Sequence, residues 1–181
     1  YISFFFQVPV TTVINNLYLH DALPIFEGIM KAVKFEGSLQ DFFKFMKEDQ
    51  QFYYPDSEEG KAEMLLGYQA IVDNMEAKLD EVFYTKPKAR MEVKAVEAWR
   101  EQSAGKAFYQ SGTPDGSRKG AFYANLYKMA DMPKFEMEAL AYHEGIPGHH
   151  MQISIAQELT DLPEFRKYSH YTAYVEGWGL Y

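Results

Sequence analysis

Three histidines and two glutamates in the last third of the chain have the types and spacing of a metal site. His143, His149 and His150 fall close together, Glu144 follows the first of them, and Glu176 lies further along. Two imidazoles and a carboxylate are common protein ligands of catalytic zinc, with a fourth position left for water. A carboxylate beside the first ligand can accept a proton from that water. The set therefore predicts zinc-dependent hydrolysis.

The spacing of these histidines departs from the usual helical zinc motif, in which the two ligands are four residues apart. The residue four after His143 is Pro147, and Gly148 follows it. Proline removes a helical hydrogen bond and glycine tolerates unusual backbone angles, so we expect a helix bulge. A bulge of two residues makes His149 the second ligand. His150 is the alternative second ligand. If His150 does not bind the metal, we expect it to contact a ligand residue or to face the substrate.

The third ligand is expected from a second helix. Glu176 lies in a helical stretch, and Pro163 marks a point where the preceding helix can end and the chain can return antiparallel. Gly177 and Gly179 beside it would allow the two helices to approach closely. We therefore predict His143, His149 and Glu176 as zinc ligands and Glu144 as the general base.

Two helices are predicted in the first half of the chain. Ser38 is placed to cap a helix with apolar residues at helical spacing through Met46. Asp56 and Glu59 form a capping-box pattern ahead of a longer helix, which Pro87 would end.

The middle of the chain, residues 90–127, is predicted to be extended. Apolar and polar residues alternate at 91–95, and residues 105–110 and 120–127 are two further strand candidates. The loop at 112–120 is rich in turn-forming residues and too long for a tight hairpin. The fold class is therefore α+β and mostly helical, with a small antiparallel sheet ahead of a metal-binding helix pair.

Composition limits the classes of function. The chain has 181 residues, enough for one domain with a core, and no cysteine, so a metal must be held by His, Asp or Glu. A net charge of −8 disfavours nucleic acid as a partner. Neither a membrane span nor a signal peptide is recognisable, and the sequence alone assigns no compartment.

The chain divides into an unusual leader and a helical remainder. Residues 1–25 contain no Lys or Arg and are expected to be a non-native or disordered leader. Residues 26–181 are expected to be a fragment of a metallohydrolase domain. That domain has three parts: helices at 26–86, an extended segment at 90–127, and metal-site helices at 133–181, which Asp131 would cap ahead of Pro133.

The metal motif resembles that of a bacterial family, domain of unknown function 885, grouped with zinc metallopeptidases of the gluzincin type. The family pattern His-Glu-x-x-Pro-Gly-His is found at residues 143–149, and its Glu-Gly-Trp segment at 176–178. Residues 115–125, Asp-Gly-Ser-Arg-Lys-Gly through Tyr-Ala-Asn, are also similar. The resemblance covers about residues 26–181 and implies a zincin-like fold, the same three zinc ligands, and Glu144 as the base. Family members are much longer.

Further residues are candidates for contacts with a substrate. The strand at 120–127 is expected to pair with an extended peptide, and Arg118 to bind a substrate carboxylate. Tyr109, Tyr123 and Tyr127 are candidate donors to the oxyanion of the tetrahedral intermediate. Tyr123 and Arg118 join Glu144 in the predicted catalytic set.

The expected activity is hydrolysis of a peptide or small amide by a zinc metallopeptidase. Two alternatives remain open. A metal-dependent hydrolase of a non-peptide amide or ester would use every one of the same ligands. A non-catalytic helical interaction module would use the histidines structurally and would hold no zinc.

Overall fold

The computed structural model describes residues 14–181, with side chains from residue 22 onward. The chain forms two compact units, one ending at Asp49 and the other comprising Gln50–Tyr181. The first contains helices α1 (Ile14–Ala32) and α2 (Leu39–Glu48). Most of the predicted leader, residues 1–13, lies outside the described residues, and the expected boundary at residue 25 falls inside α1.

The start of α2 confirms the predicted cap. The Ser38 side chain accepts the Asp41 backbone N–H, and the Asp41 carboxylate accepts the Ser38 backbone N–H at 2.9 Å. This reciprocal pair satisfies donors that a helix start leaves free. Phe42 on α2 is buried, and the Phe35 ring meets it edge-on at 5.1 Å.

The second unit begins with a short 3₁₀ turn, Gln50–Phe52, and the long helix α3, Glu58–Val82. Its cap is Ser57, whose side chain accepts the Gly60 N–H at 3.1 Å. The prediction that Asp56 caps this helix is therefore wrong by one residue. The helix also ends before Pro87, because Phe83 adopts an extended conformation.

The three predicted strands form one sheet: β1 (Met91–Ala95), β2 (Ala107–Gln110) and β3 (Gly120–Ala124). The strand order is β1-β3-β2, with β1 parallel and β2 antiparallel to β3. The prediction of an antiparallel sheet is therefore wrong, because the sheet is mixed.

The central position of β3 also corrects the predicted substrate strand. Both edges of β3 are paired within the sheet, with Phe122 opposite Val93 on one side and Tyr109 on the other. A strand paired on both sides has no free ladder groups to offer a peptide. β3 also ends at Ala124, short of the predicted Tyr127.

Short helical elements complete the chain. Asp131 ends a 3₁₀ turn, and Pro133 precedes a second one, so the prediction that Asp131 caps the metal-site helix is wrong. The elements in chain order are 3₁₀ turns Met129–Asp131 and Lys134–Glu136, then helices α4 (Met137–Glu144), α5 (His149–Glu158), α6 (Glu164–Tyr168) and α7 (Thr172–Leu180).

The main core of the second unit packs α3 and α4 against one face of the sheet. Tyr68 of α3 meets Phe122 of β3 edge-on at 5.0 Å, and Ala141 of α4 is completely buried in the same cluster. Burial of this apolar surface holds α4 in place, and with it the end that carries His143 and Glu144. Within the described residues, the structure has no helix with the length and apolar content that a bilayer span requires.

Candidate metal centre

A sharp break separates α4 from α5. α4 ends at Glu144 and α5 begins at His149, so the predicted bulge is instead an interruption between two helices. The Gly148 N–H reaches back to the Tyr142 carbonyl at 2.9 Å, and the peptide before Pro147 is cis. A Cβ on Gly148 would lie 1.9 Å from the His143 carbonyl oxygen, which explains why glycine is needed there.

This break brings two histidines and a distant glutamate together. The Nε2 atom of His143 lies 3.4 Å from one oxygen of Glu176, and the Nε2 atom of His149 lies 3.7 Å from the other. The two imidazole rings are 4.5 Å apart between centroids and nearly perpendicular. The three side chains come from α4, α5 and α7, so the packing of three helices defines the cluster.

Glu144 lies beside the same cluster. Its carboxylate and one ring nitrogen each of His143 and His149 lie within 4.8 Å of one another. Burial raises the pKa of Glu144, against the lowering effects of His143 and of the nearby Tyr109 backbone N–H, and Glu176 raises the pKa further. A carboxylate with a raised pKa is better suited to take up a proton.

His149 is nearly buried and has one nitrogen without a partner. Burial lowers its pKa and the neighbouring His143 lowers it further, whereas the Glu176 carboxylate acts in the opposite direction. Its Nδ1 atom has no hydrogen-bond partner, although it is inaccessible to solvent. Because metal ions bind the neutral form of imidazole, this environment suits a ligand.

Helix α7 is held directly against the two imidazoles. A Cβ on Gly179 would lie 2.9 Å from the His143 ring and 3.2 Å from the His149 ring. The Trp178 indole N–H donates to the Pro147 carbonyl at 2.8 Å, which joins α7 to the break. Gly179 therefore allows the close approach expected of it, whereas an added Cβ on Gly177 would meet nothing within 4 Å.

His150 points away from the cluster. Its ring is fully buried, with Nε2 3.1 Å from the Ala89 carbonyl oxygen and Nδ1 2.9 Å from the Tyr109 hydroxyl. A carbonyl only accepts, so Nε2 carries the proton and Nδ1 accepts from Tyr109. Burial lowers the pKa of His150 to about 4. Both nitrogens are thus engaged by the protein itself.

Tyr123 is not brought to the cluster. It pairs with Phe108 across the sheet and stacks on that ring at 4.9 Å, beneath the Arg100 guanidinium. Tyr109 pairs with Phe122 instead, and successive side chains of a strand point to opposite faces. Tyr123 therefore lies on the face of the sheet away from His150.

Arg118 lies in the exposed loop between β2 and β3. Its backbone is fixed by Thr113, whose N–H donates to the Arg118 carbonyl at 3.0 Å and whose hydroxyl accepts the Arg118 N–H at 2.9 Å. Its positive charge lowers the pKa of Tyr109, which burial raises more strongly. Arg118 thus belongs to the same end of the sheet as Tyr109.

The residue types of the cluster suit a metal ion such as zinc. Ligand atoms about 2.0–2.1 Å from zinc in a tetrahedral arrangement lie about 3.4 Å from one another. The Nε2 atoms of His143 and His149 lie 3.4 and 3.7 Å from different oxygens of Glu176, distances close to that spacing. Two imidazoles and a carboxylate are also a donor set found in catalytic zinc sites.

One contact of this site was not predicted from the sequence. The Trp178 indole N–H donates to the Pro147 carbonyl. The tryptophan two residues after Glu176, in Glu176-Gly177-Trp178, was a signal for it.

Comparison with known proteins identifies the family. The sequence profile of a family described as bacterial protein of unknown function, DUF885, matches residues 22–181. The chain belongs to the DUF885 family. No curated protein matches the chain.

One solved structure similar to this DUF885 chain is that of a protein from Colwellia psychrerythraea described as a candidate lipoprotein. The two share 32% sequence identity and superpose with a TM-score of 0.82. The match covers 90% of this chain but 28% of the other, so the chain spans less than a third of that protein.

Proposed function

We propose that this DUF885 chain carries the catalytic zinc site of a metallopeptidase with a zincin-like fold of the gluzincin type. One observation carries the proposal: both oxygens of Glu176 face the Nε2 atoms of His143 and His149, at 3.4 and 3.7 Å. An ion pair alone would also place a carboxylate near a histidine. The nearby Glu144 and the pKa of His149, which burial lowers, favour a metal-binding cluster instead.

Each residue of the cluster has a distinct role in the proposed hydrolysis. His143, His149 and Glu176 would hold the ion, which supplies an acidified water and polarises the scissile carbonyl. Glu144 would accept the water proton on its carboxylate and later deliver it to the leaving amine.

The substrate proposed is a peptide or small amide, bound beside β2. Among the described residues, β2 pairs with β3 alone, so its other edge has no strand partner. Arg118, in the adjoining loop, would bind a carboxylate of the substrate through paired hydrogen bonds. Tyr123 is not part of this proposal because its ring lies on the other face of the sheet.

The test combines metal analysis with a substrate panel. We expect about one zinc per chain in the intact protein purified without chelators, and cleavage of peptides that a chelator abolishes and zinc restores. Peptides with blocked carboxyl termini should be cleaved more slowly if Arg118 binds the substrate carboxylate. Bound zinc with uniform inertness toward peptides would favour a non-peptide amide or ester, and absence of zinc even after its addition would favour an interaction module.

A further inference from the structure

Tyr109 joins β2 to the start of α5. Its hydroxyl lies 2.9 Å from Nδ1 of His150, in the first turn of α5, and the two rings meet edge-on. A single residue of β2 therefore contacts the helix that carries His149.

The hydroxyl contact is tightly enclosed. A Cβ on Gly120 would lie 2.5 Å from the Tyr109 oxygen and 2.7 Å from Nδ1 of His150, so the pair packs against bare backbone. The Ser154 hydroxyl is 3.5 Å from the same nitrogen. On its other side, His150 donates to the Ala89 carbonyl. The imidazole is thus fixed at both nitrogens.

Fixing His150 also fixes the rotation of α5. Successive residues of a helix are turned by about 100° from one another, so the direction of His149 follows from that of His150. Glu158, two turns further along α5, accepts the N–H groups of Lys88 and Ala89 at 2.7 and 3.2 Å. These contacts attach both ends of the helix to the segment before β1.

We propose that Tyr109 is a positioning residue of the candidate metal centre, which orients His149 through its hydroxyl and His150. This inference rests on the proposed function. It assigns the tyrosine a role different from oxyanion binding, because its hydroxyl proton is donated to His150. A residue of this kind tunes the site without touching the ion.

The test is Tyr109→Phe, which removes the hydroxyl and keeps the ring and the amide. Tyr123→Phe is the matched control, since it removes a tyrosine hydroxyl from the opposite face of the same sheet. Zinc affinity is measured by competition with a chromophoric chelator, and site geometry by the visible absorption of the Co²⁺-loaded protein. The urea midpoint is recorded separately.

We expect Tyr109→Phe to weaken zinc binding roughly tenfold, at the lower end of the effect of residues that orient ligands, and to change the Co²⁺ spectrum. Tyr123→Phe should change neither. Unchanged affinity and an unchanged spectrum in Tyr109→Phe would overturn the proposal, whatever its urea midpoint. A purely structural hydrogen bond would shift the midpoint alone.

A second pair of variants covers the case in which Tyr109→Phe does not fold. His150→Gln offers one acceptor for the Tyr109 hydroxyl and one donor for the Ala89 carbonyl, whereas His150→Leu offers neither. We expect zinc affinity near that of the wild type in the first and a loss in the second. Equal affinities would overturn the proposal. A wild-type protein that binds no zinc would be recognised before any variant is compared, and would overturn the proposed function itself.

Discussion

His149 and His150 are adjacent in the chain, but their side chains face two different regions of the molecule. His149 faces the Glu176 carboxylate at 3.7 Å and leaves its Nδ1 without a partner. His150 has both nitrogens paired within the protein, to Tyr109 and Ala89. A neutral imidazole has one donor and one acceptor, so a ring with both engaged has nothing left for a metal. Pairing, rather than sequence position, distinguishes the proposed ligand His149 from His150.

The same contrast extends to the surroundings of the two rings. The cluster around His149 is built from the end of α4, the start of α5 and the middle of α7, and its Glu176 side chain remains 31% exposed. The network around His150 joins α5 to β2 and to the segment before β1, and the ring itself has no exposure. The first region is therefore accessible to water and an ion, whereas the second is closed.

The largest effect is expected on turnover, from replacing Glu144, a carboxylate of the region around His149. Glu144→Gln should lower turnover by about 10²–10⁴-fold, because an amide cannot accept the water proton. Zinc content should stay near that of the wild type, since Glu144 is not a ligand in the proposal. The assay measures kcat on a cleaved peptide together with bound metal.

Glu158→Gln is the matched control for that experiment. One oxygen of its carboxylate, Oε1, accepts both the Lys88 and Ala89 N–H groups in the other region, and the amide oxygen of Gln can replace it. Turnover close to the wild-type value is expected. A Glu144→Gln enzyme that kept its full rate would remove Glu144 as the base.

The next largest effect concerns the two histidines themselves. His149→Ala should weaken zinc binding well beyond the roughly 10–100-fold that loss of an orienting residue costs. His150→Ala should weaken it less, because only the orientation of α5 is disturbed. Isothermal titration of both variants gives the comparison, and a greater zinc loss in His150→Ala would reverse the assignment of ligand and scaffold.

The free energy of unfolding should change in the opposite order, with the larger loss in His150→Ala. His150→Ala leaves the Tyr109 hydroxyl and the Ala89 carbonyl without their partner and opens a cavity, which should cost about 2–4 kcal/mol of unfolding free energy. His149→Ala in the metal-free protein should cost less, since no hydrogen bond to its Nδ1 is lost. Urea unfolding in the presence of a chelator measures both. Equal losses would show that the two regions do not differ in this respect.

The smallest expected effect concerns the break between the regions. Gly148→Ala should lower the unfolding free energy by about 1–3 kcal/mol, because its Cβ would collide with the His143 carbonyl and strain the turn. Gly177→Ala is the control, since an added Cβ there meets nothing within 4 Å and alanine favours a helix. A Gly148→Ala protein as stable as Gly177→Ala would contradict the close contact.

Local signals in the sequence predicted the elements well. The mostly helical α+β class and the small three-stranded sheet were predicted correctly, and the Ser38 cap is confirmed by its reciprocal hydrogen bonds. These features depend on residues near each other in the chain, such as the alternation at Met91–Ala95. The resemblance to DUF885 was also correct.

Features that depend on distant contacts were not predictable in the same way. β1 pairs in parallel with β3, although β2 lies between them in the chain. Alternation of apolar and polar residues along a strand does not indicate which other strand it pairs with. For that reason the sheet was predicted as antiparallel and β3 as an open edge. The prediction that Asp131 caps the metal-site helix was wrong because Pro133 is followed by a 3₁₀ turn before α4 begins.

At the metal centre, residue types were informative and backbone contacts were not. The pattern of His143, Glu144, His149 and Glu176 was visible in the sequence, and the structure brings these side chains together. Whether the Pro147-Gly148 step is a bulge or a break depends on backbone angles that the sequence does not specify. The partner of His150 is equally hidden, because the Ala89 carbonyl belongs to a distant segment.

Anomalous diffraction at the zinc absorption edge, from crystals of the intact protein grown with zinc, tests the central claim most directly. We expect one strong peak about 2.0–2.2 Å from His143 Nε2, His149 Nε2 and a Glu176 oxygen, with His150 still bound to Tyr109. Zinc bound at His150, or no peak between the three proposed ligands, would contradict it.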